Sequence, residues 1–262
     1  MQPLDYGIAG RKALICGSSQ GLGRACAFAL AQVGVEVTLN GRNPETLARA
    51  ADELAGMLGR PVAHVVADVT TREGRDILLV ACPEPDIVVT NAAGPPPGHF
   101  TDWDEADWQA ALAANMVAPI MLIRAVIGPM RQRGWGRIVN ITSGAVKAPI
   151  ALLGLSNGAR SGLTGFVAGL AREVARDGVT INNLLPGHFA TDRLRGLAEA
   201  TAASRGVTAD QAWDAMAAAN PTGRLGRPEE FGATCAFLAS RQAAYINGQN
   251  ILLDGGAYPG TF

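Results

Sequence analysis

The sequence predicts a single α/β domain in which a doubly wound, mostly parallel sheet carries helices on both faces. Short apolar runs alternate with segments of helical spacing along the whole chain, a pattern typical of parallel strands joined by helices. A glycine-rich turn joins the first apolar run to the first helical segment. No linker, internal repeat or low-complexity stretch divides the 262 residues, and that length suits one large domain with a buried core.

The predicted elements follow from these patterns in chain order. Strands are expected where short apolar or β-branched runs stand between turn residues, at residues 12–16, 35–39, 62–66, 86–90, 137–142, 179–184 and 250–253. Helices are expected where apolar residues recur every three or four positions, at residues 24–33, 44–58, 71–81, 105–130, 156–177, 193–219 and 228–239. Polar or glycine-rich segments follow most of the strands, at the edge where ligands bind in such sheets.

The glycine-rich turn is Cys16-Gly17-Ser18-Ser19-Gln20-Gly21-Leu22-Gly23. Gly17 can adopt backbone angles closed to other residues, Gly21 has no Cβ to keep a pyrophosphate away, and Gly23 allows the helix to pack closely on the strand. The N-terminus of the helix that follows offers free N–H groups and a partial positive charge to a phosphate. A strand-to-helix turn without a ligand would use the same glycines, so this motif alone leaves both interpretations open.

The composition excludes several classes of function. The net charge is −1, which gives no field to attract nucleic acid or an anionic membrane surface. The four cysteines are scattered without the spacing of a metal site or a disulfide framework, which predicts reduced thiols in a cytoplasmic protein and no bound metal. We also expect neither a signal peptide nor a membrane span, since the first apolar run is only about five residues long.

Several ordered motifs give the chain a resemblance to a known family. They are Gly-x-x-x-Gly-x-Gly at 17–23, Asp68-Val69, Asn91-Ala-Ala-Gly94, Asn115, Ile141-Thr-Ser143, Pro186-Gly187 with Thr191, Gly223-Arg-Leu-Gly-Arg-Pro-Glu-Glu230, Tyr245-Ile-Asn-Gly248 and Asp254-Gly-Gly256. With these motifs at their usual separations, the chain resembles the short-chain dehydrogenase/reductase family over essentially its whole length.

The resemblance implies one Rossmann-like domain over residues 1–262, with residues 190–225 covering the substrate. It further implies a site for a nicotinamide dinucleotide and a homo-oligomer, often a tetramer, otherwise a dimer. The residues expected to bind the cofactor are Gly17, Ser19, Gln20, Gly21, Leu22, Gly23, Asn40, Arg42, Asp68, Val69, Asn91, Ala92, Gly94, Pro186, Gly187 and Thr191.

The end of the second strand bears on the choice of cofactor. A dehydrogenase that prefers NAD normally carries an acidic residue there, which holds the ribose hydroxyls. This chain has Asn40-Gly41-Arg42 instead, and a guanidinium can pair with a 2′-phosphate. NADP(H) is therefore favoured over NAD(H), although an exposed arginine capping the next helix would give the same sequence.

The catalytic positions depart from the family pattern of Asn, Ser and Tyr-x-x-x-Lys. Asn115 and Ser143 are present, but the position thirteen residues after Ser143 is Ser156, and four residues further stands Arg160. A serine hydroxyl lacks the acidity of a phenol, so hydride transfer by the usual route should be impaired. Arg160 shares a helix face with Ser156 and can still hydrogen-bond the nicotinamide ribose.

His188 follows Pro186-Gly187 and is a candidate substitute acid, since a histidine pKa suits proton transfer near pH 7; His99 and Lys147 are weaker candidates. The predicted catalytic set is Asn115, Ser143, Ser156, Arg160 and His188. The first hypothesis is an NAD(P)(H)-dependent, 3-oxoacyl reductase-like oxidoreductase acting on a carbonyl or alcohol. The alternatives are a dinucleotide-binding protein without redox turnover, and a non-redox enzyme that reuses the cleft. Residues 190–225 carry few distinctive polar groups, so the sequence does not define the substrate.

Overall fold

The computed structural model describes residues 5–261 and shows one seven-stranded sheet whose neighbouring strands are parallel. The strands are β1 (Lys12–Ile15), β2 (Glu36–Gly41), β3 (Ala63–Val66), β4 (Ile87–Thr90), β5 (Gly136–Ile141), β6 (Val179–Pro186) and β7 (Asn250–Leu253). They lie in the order β3-β2-β1-β4-β5-β6-β7. The order reverses between β1 and β4, which opens a crevice beyond their carboxyl ends. The predicted doubly wound parallel sheet is confirmed.

The helices pack on both faces of this sheet. They are α1 (Gly21–Gln32), α2 (Pro44–Leu58), α3 (Arg72–Ala81), α4 (Glu105–Leu112), α5 (Ala118–Gln132), α6 (Gly154–Val174), α7 (Asp192–Arg205), α8 (Ala209–Ala218) and α9 (Pro228–Ala239). One apolar core lies under α1, α2 and α9 and includes Leu30, Leu54 and Phe231. The other lies under α3, α5 and α6 and includes Leu78 and Leu122. Burial of these two sets supplies the main driving force for folding.

A buried ladder of polar side chains crosses four adjacent strands. The Thr90 hydroxyl on β4 donates to Asn140 Oδ1 on β5 at 2.7 Å. Asn140 Nδ2 donates to Asn183 Oδ1 on β6 at 3.1 Å, and Asn183 Nδ2 donates to Asn250 Oδ1 on β7 at 2.8 Å. The four residues stand opposite one another in the strand register, so each rung satisfies a polar group that burial would otherwise leave unpaired.

The prediction of one helix over residues 193–219 is wrong, because the structure has α7 and α8 with a break between them. Gly206 ends α7 with a φ of 67°, a left-handed conformation that glycine adopts without strain. Thr208 then caps α8, since its hydroxyl accepts from Gln211 N at 3.1 Å while the Gln211 side chain accepts from Thr208 N at 2.9 Å. Because the segment is rich in alanine on both sides of the break, the apolar spacing of the sequence gives no sign of where α7 ends.

The long helical region begins at Glu105 as expected and runs to Gln132, but a π-helical turn, Ala113–Val117, separates α4 from α5. Within residues 5–261, this Glu105–Gln132 run is the one helix long and apolar enough to cross a membrane by length and composition. Leu122 and Val126 on it are buried in the core over the sheet. Core helices of globular proteins share these properties, so the run is only a weak indication of a membrane span.

Candidate active site

The glycine-rich turn follows β1 at the crevice. It is held by a hydrogen bond from Asn91, which comes just after the neighbouring strand β4. Gly17 has a φ of +56°, and its carbonyl accepts a hydrogen bond from Asn91 Nδ2 at 3.0 Å. A Cβ on Gly23 would collide with the Gly17 carbonyl and stand 2.7 Å from Asn91 Nδ2. The close contact of α1 with β1 therefore requires glycine at position 23, as the sequence predicts.

The start of α1 is open to a ligand. Its N-cap residue, Gln20, makes no side-chain capping bond, and the first turn contains no acidic residue. The first N–H groups of a helix have no partner within the helix, so those of α1 are available to an anion. Gly21 has a φ of +58°, and a Cβ there would meet nothing closer than the Thr191 methyl at 3.9 Å. These features fit the pyrophosphate of a dinucleotide.

Asn40 is predicted to bind the cofactor, but in the structure it supports the glycine-rich turn instead. It is buried, and its Nδ2 donates to the carbonyls of Val65 and Ala67 at 3.1 and 3.0 Å. Its Oδ1 accepts from Gly17 N at 3.5 Å. Since these contacts engage both ends of the amide, Asn40 positions the glycine turn rather than facing a ligand. Ser19 packs near Gly41.

Arg42 and Asp68 stand together just after the carboxyl ends of β2 and β3. The Arg42 side chain is 68% exposed, and its Nη1 lies 3.9 Å from Asp68 Oδ2. Burial tends to raise the pKa of Asp68, but hydrogen bonds from the backbone and hydroxyl of Thr70, together with the Arg42 charge, hold it below the ordinary value. Asp68 is thus ionised at neutral pH and forms an ion pair with Arg42.

A small cavity lies under the middle of the crevice. Its volume is about 20 Å³, enough for about one water. Three predicted cofactor-binding residues and two members of the predicted catalytic set are among its lining residues: Val69, Asn91, Ala92, Asn115 and Arg160.

Asn115 occupies the π-helical turn between α4 and α5. Its Nδ2 donates to the carbonyls of Ala93 and Ala111 at 3.4 and 3.3 Å. Its Oδ1 is buried without a hydrogen-bond partner in residues 5–261. A buried acceptor left unpaired is costly, so a water in the adjoining cavity would satisfy it. Inserted π turns are common at functional sites, and this one directs Asn115 inward.

Ser156 and Arg160 lie one turn apart on α6, as predicted, and both are buried. Arg160 Nε donates to Ser156 Oγ at 3.2 Å, and Arg160 Nη1 donates to the carbonyls of Ile141 and Thr142 at 2.9 and 2.8 Å. Burial, and to a smaller extent the positive charge of Arg193, lower the pKa of Arg160 to about 10. The guanidinium remains a cation at pH 7 and is anchored to the end of β5.

The chain is similar to several known proteins over most of its length. The family model described as enoyl-(acyl carrier protein) reductase matches residues 17–258. The chain is 33% identical over 254 residues to D-β-hydroxybutyrate dehydrogenase of Rhizobium meliloti, covering 94% of this chain and 98% of that one. It is 33% identical over 257 residues to a 3-oxoacyl-(acyl carrier protein) reductase of Vibrio cholerae, covering 96% and 98%.

The fold of the chain also matches that of a solved structure over nearly its whole length. The crystal structure of L-sorbose reductase from Gluconobacter frateurii, complexed with NADPH and L-sorbose, matches with a TM-score of 0.93 at 29% identity, covering 98% of this chain and 100% of that one. The chain belongs to the short-chain dehydrogenase/reductase family. The family resemblance noted in the sequence is thereby confirmed.

In this short-chain dehydrogenase/reductase, Ser143 comes shortly after β5, and Pro186, Gly187 and Thr191 lie at or after the end of β6. The Ser143 hydroxyl accepts from Ala145 N at 3.1 Å. The Thr191 hydroxyl accepts from Leu194 N at 3.4 Å and caps α7. Pro186 ends β6, and Gly187 packs closely on Asp254.

The structure does not group His188 with Asn115 and Arg160. His188 is exposed and lines a second, larger cavity of about 480 Å³ beside α7 and α8, together with residues such as Arg205, Gln211 and Asn220. His99 is also exposed, and its backbone N–H donates to Asp102 at 3.0 Å. Lys147 follows a short 3₁₀ helix, Gly144–Val146. The candidacy of His188 as an acid therefore stays a prediction.

Sequence reasoning missed Arg193. It stands in the first turn of α7, and a Cβ on Gly94 would lie 2.5 Å from Arg193 Nη2. The guanidinium thus lies directly against a residue expected to contact the cofactor. The available signal was the position of this arginine, two residues after Thr191 in a segment bordering the crevice.

Cys16 gives a direct test of how closed the base of the crevice is. Burial raises the pKa of its thiol and a backbone hydrogen bond from Asn91 opposes that shift, with a net pKa of about 12. Because the thiolate is the reactive form, we expect native protein at pH 8 to leave Cys16 unmodified by iodoacetamide, with labelling only after unfolding in urea. Peptide mass spectrometry would measure this, and rapid native labelling of Cys16 would contradict the closed geometry.

Proposed function

We propose that this protein is an NADP(H)-dependent oxidoreductase that interconverts a carbonyl compound and its alcohol, with Ser156 and Arg160 in the positions of the family's tyrosine and lysine. The observation that carries the proposal is the uncapped start of α1 beside Gly21. A helix N-terminus with free N–H groups and no Cβ in the way suits a dinucleotide pyrophosphate. The NADPH complex of L-sorbose reductase supports the same cofactor class.

The cofactor residues divide into four groups. The turn Gly17–Gly23 and Thr191 would hold the pyrophosphate, while Asp68 and Val69 would line the adenine pocket. Arg42 would pair with the 2′-phosphate, since a guanidinium binds phosphate through a planar fork. Asn91, Ala92, Gly94, Pro186 and Gly187 would line the nicotinamide half.

When bound, the reduced nicotinamide supplies a hydride to the carbonyl carbon, and the carbonyl oxygen takes up one proton to give the alcohol. The Ser143 hydroxyl accepts from Ala145 N, which leaves its own O–H free to donate to the substrate oxygen. The Ser156 hydroxyl accepts from Arg160 Nε, so its proton is likewise free to turn toward the substrate. Asn115 Oδ1 would hold a water beside Arg160, from which the proton relay through Ser156 is resupplied.

A second candidate function is dinucleotide binding without redox turnover. The titratable side chains lining the small cavity are Cys16 and Arg160. The pKa of the first is raised to about 12 and that of the second is lowered to about 10, so neither is matched to proton transfer at pH 7. This observation favours a site that keeps the cofactor but turns over slowly, and it equally suits a non-redox enzyme that reuses the cleft.

The first experiment is a thermal-shift titration with NADPH and NADH in parallel. A ligand that binds only the folded state stabilises it by RT ln(1 + [L]/Kd), about 2.7 kcal/mol at a hundred times Kd. We expect NADPH to bind about 10-fold or more tightly than NADH, because of the charge-assisted bonds to the 2′-phosphate. No shift with either nucleotide would remove the main support for the proposal.

The variant Arg42→Gln should reduce this preference while leaving NADH affinity nearly unchanged. Arg60→Gln is the matched control, since Arg60 is also exposed and follows the end of α2 at Gly59. It should leave both affinities as in the wild type. An unchanged NADPH preference in Arg42→Gln would show that another residue reads the 2′-phosphate.

The proposal extends to assembly and location. A homo-oligomer, as a tetramer or dimer, is supported by the Glu105–Gln132 run, since only 33% of its most apolar window is buried in the single chain. Val117 and Phe166 are exposed apolar residues on this run and on α6. A cytoplasmic location is supported by four free, buried cysteines, because thiols persist in reducing compartments.

A further inference from the structure

The cavity of about 480 Å³ beside α7 and α8 is large enough for a small organic molecule, since ligand pockets typically measure about 300–1,000 Å³. On α7, Thr201 and Arg205 lie one turn apart and share a face. Helix α8 supplies Gln211, Ala215 and Met216 to the lining. None of the described residues that line the cavity is acidic. The cavity is thus a second place, besides the cofactor site, where a ligand can bind.

This cavity adjoins the residues expected to hold the nicotinamide. His188, which lines it, directly follows Gly187 in the chain. Gly187 packs so closely against Asp254 that a Cβ on Gly187 would lie 2.7 Å from Asp254 Cβ. The Asp254 carbonyl in turn accepts from Asn220 Nδ2 at 2.7 Å, and Asn220 lines the cavity. The proposed function, on which this inference rests, puts Gly187 in the nicotinamide half, so a substrate in the cavity would have one end beside the nicotinamide.

The cavity presents hydrogen-bond donors that nothing else in residues 5–261 uses. The Gln211 side chain accepts from Thr208 N at 2.9 Å through its Oε1, which leaves both hydrogens of Nε2 available. The guanidinium of Arg205 makes no hydrogen bond and no ion pair within residues 5–261. Because these donors have no acidic neighbour in the lining, they suit a ligand that carries an anionic acceptor.

Arg195, on the same helix, shows what a compensated guanidinium looks like here. Its Nη1 lies 3.0 Å from Asp210 Oδ1, and its guanidinium stacks on Trp213 at 4.2 Å from the ring centroid. Arg205 is exposed and also lines the cavity, so it stands where the cavity opens to solvent. A guanidinium binds a carboxylate through two parallel hydrogen bonds, and the guanidinium of Arg205 is free to do so.

The position of Arg205 on α7 indicates how the ligand is arranged. The helix begins at Asp192, next to Thr191 of the cofactor set, and Arg205 is its last residue. At 1.5 Å per residue the two ends of α7 lie about 20 Å apart. Val207 and Met216 add apolar surface to the lining. We propose that this cavity is the substrate pocket and that its substrate is an oxo acid, with the carbonyl near the nicotinamide, an apolar chain along the wall, and a carboxylate bound by Arg205.

The test compares 7-oxooctanoate with 7-oxooctanamide, and 4-oxopentanoate with 4-oxopentanamide, so that each pair differs in charge and hardly in shape. Calorimetric titrations use the full chain, without nucleotide and with NADP⁺. We expect the wild type to bind the acid of at least one pair about 5-fold more tightly than its amide, the strength of a partly exposed ion pair.

Three variants and one control assign this preference to the cavity. Arg205→Gln should lose it, and Arg205→Lys should keep part of it. Arg195→Gln removes the same charge from the same helix at a position that does not line the cavity, so it should behave as the wild type. Ala215→Phe puts a ring into the cavity from an exposed helix position and should weaken binding of both acid and amide about 10-fold or more. Retained stabilisation by NADPH shows that each variant is folded.

Other outcomes overturn the assignment. No acid preference in either pair, including no measurable binding, would refute the oxo acid. A preference that survives in Arg205→Gln would exclude Arg205, and if NADPH binding were lost in that variant its guanidinium would belong to a cofactor phosphate. Unchanged binding in Ala215→Phe would place the ligand outside this cavity. Failure of the proposed function is seen separately, as the absence of any nucleotide shift in the wild type.

Discussion

The double variant Ser156→Tyr, Arg160→Lys is expected to reduce ethyl acetoacetate with NADPH about 10²- to 10⁴-fold faster than the wild type, the range that a positioned general acid contributes. A phenol has a reference pKa near 10 that a neighbouring ammonium group lowers, whereas the serine hydroxyl is far less acidic. The two positions lie one turn apart on α6 with their side chains in contact, so the pair is placed to act together. The measurement is the initial rate of NADPH oxidation at pH 7.

Single variants and a binding control make this result interpretable. Arg160→Lys alone should stay near the wild-type rate, because it restores no acid. Ser156→Tyr alone should gain less than the double variant, since a buried guanidinium tied to the carbonyls of Ile141 and Thr142 is less free to reposition than an ammonium. Retained stabilisation by NADPH confirms an intact fold. A double variant that binds NADPH but gains no rate would contradict the carbonyl-reductase proposal and favour the non-redox candidate.

The variant Gly23→Ala is expected to lower the free energy of unfolding by about 3 kcal/mol and to abolish stabilisation by NADPH. The added methyl would collide with the backbone carbonyl of Gly17 and stand 2.7 Å from Asn91 Nδ2. Because the first contact is with backbone, relief requires α1 to move away from β1, which displaces the N–H groups that would bind the pyrophosphate. Urea unfolding and a nucleotide thermal shift measure the two effects.

Gly56→Ala is the matched control for this prediction. Gly56 also lies in a helix, α2, and a Cβ there would meet nothing within 4 Å. Replacing an unconstrained helical glycine by alanine should stabilise the protein by about 0.5–1 kcal/mol and leave nucleotide binding unchanged. If Gly23→Ala behaved like Gly56→Ala, the close contact of helix and turn would not be required for cofactor binding.

The fold was predictable where local signals coincide. The bounds of α2, α9 and β7 agree with expectation, because Pro44 and Pro228 start their helices at the first helical position and the apolar periodicity is clear. The break between α7 and α8 escaped prediction, since Gly206 and Thr208 act through backbone conformation and capping within an alanine-rich stretch. A π turn such as Ala113–Val117 has no periodicity of its own.

The site was predictable as a set of positions more than as a set of roles. The glycine turn, Asn91 and Asn115 lie where their motifs place them. The amide of Asn40 donates to the carbonyls of Val65 and Ala67. These hydrogen bonds depend on the pairing of β2 with β3, which the local sequence does not reveal. Arg193 lies against Gly94 only because α7 packs near the segment that follows β4, a long-range relation that no local spacing encodes.

The ladder from Thr90 through Asn140 and Asn183 to Asn250 also limits how this half of the sheet can change. Asn140 and Asn183 each donate an N–H to the next strand and accept a hydrogen bond from the previous one, so the chain of bonds runs in one direction from β4 to β7. Shortening Asn140 to alanine would leave a polar group without its partner on each side, the Thr90 hydroxyl on β4 and the Asn183 amide oxygen on β6. A slip of one residue would turn a rung to the opposite face. A redesign of β4–β7 must therefore treat these four positions as one unit, to be exchanged together for apolar residues or kept together.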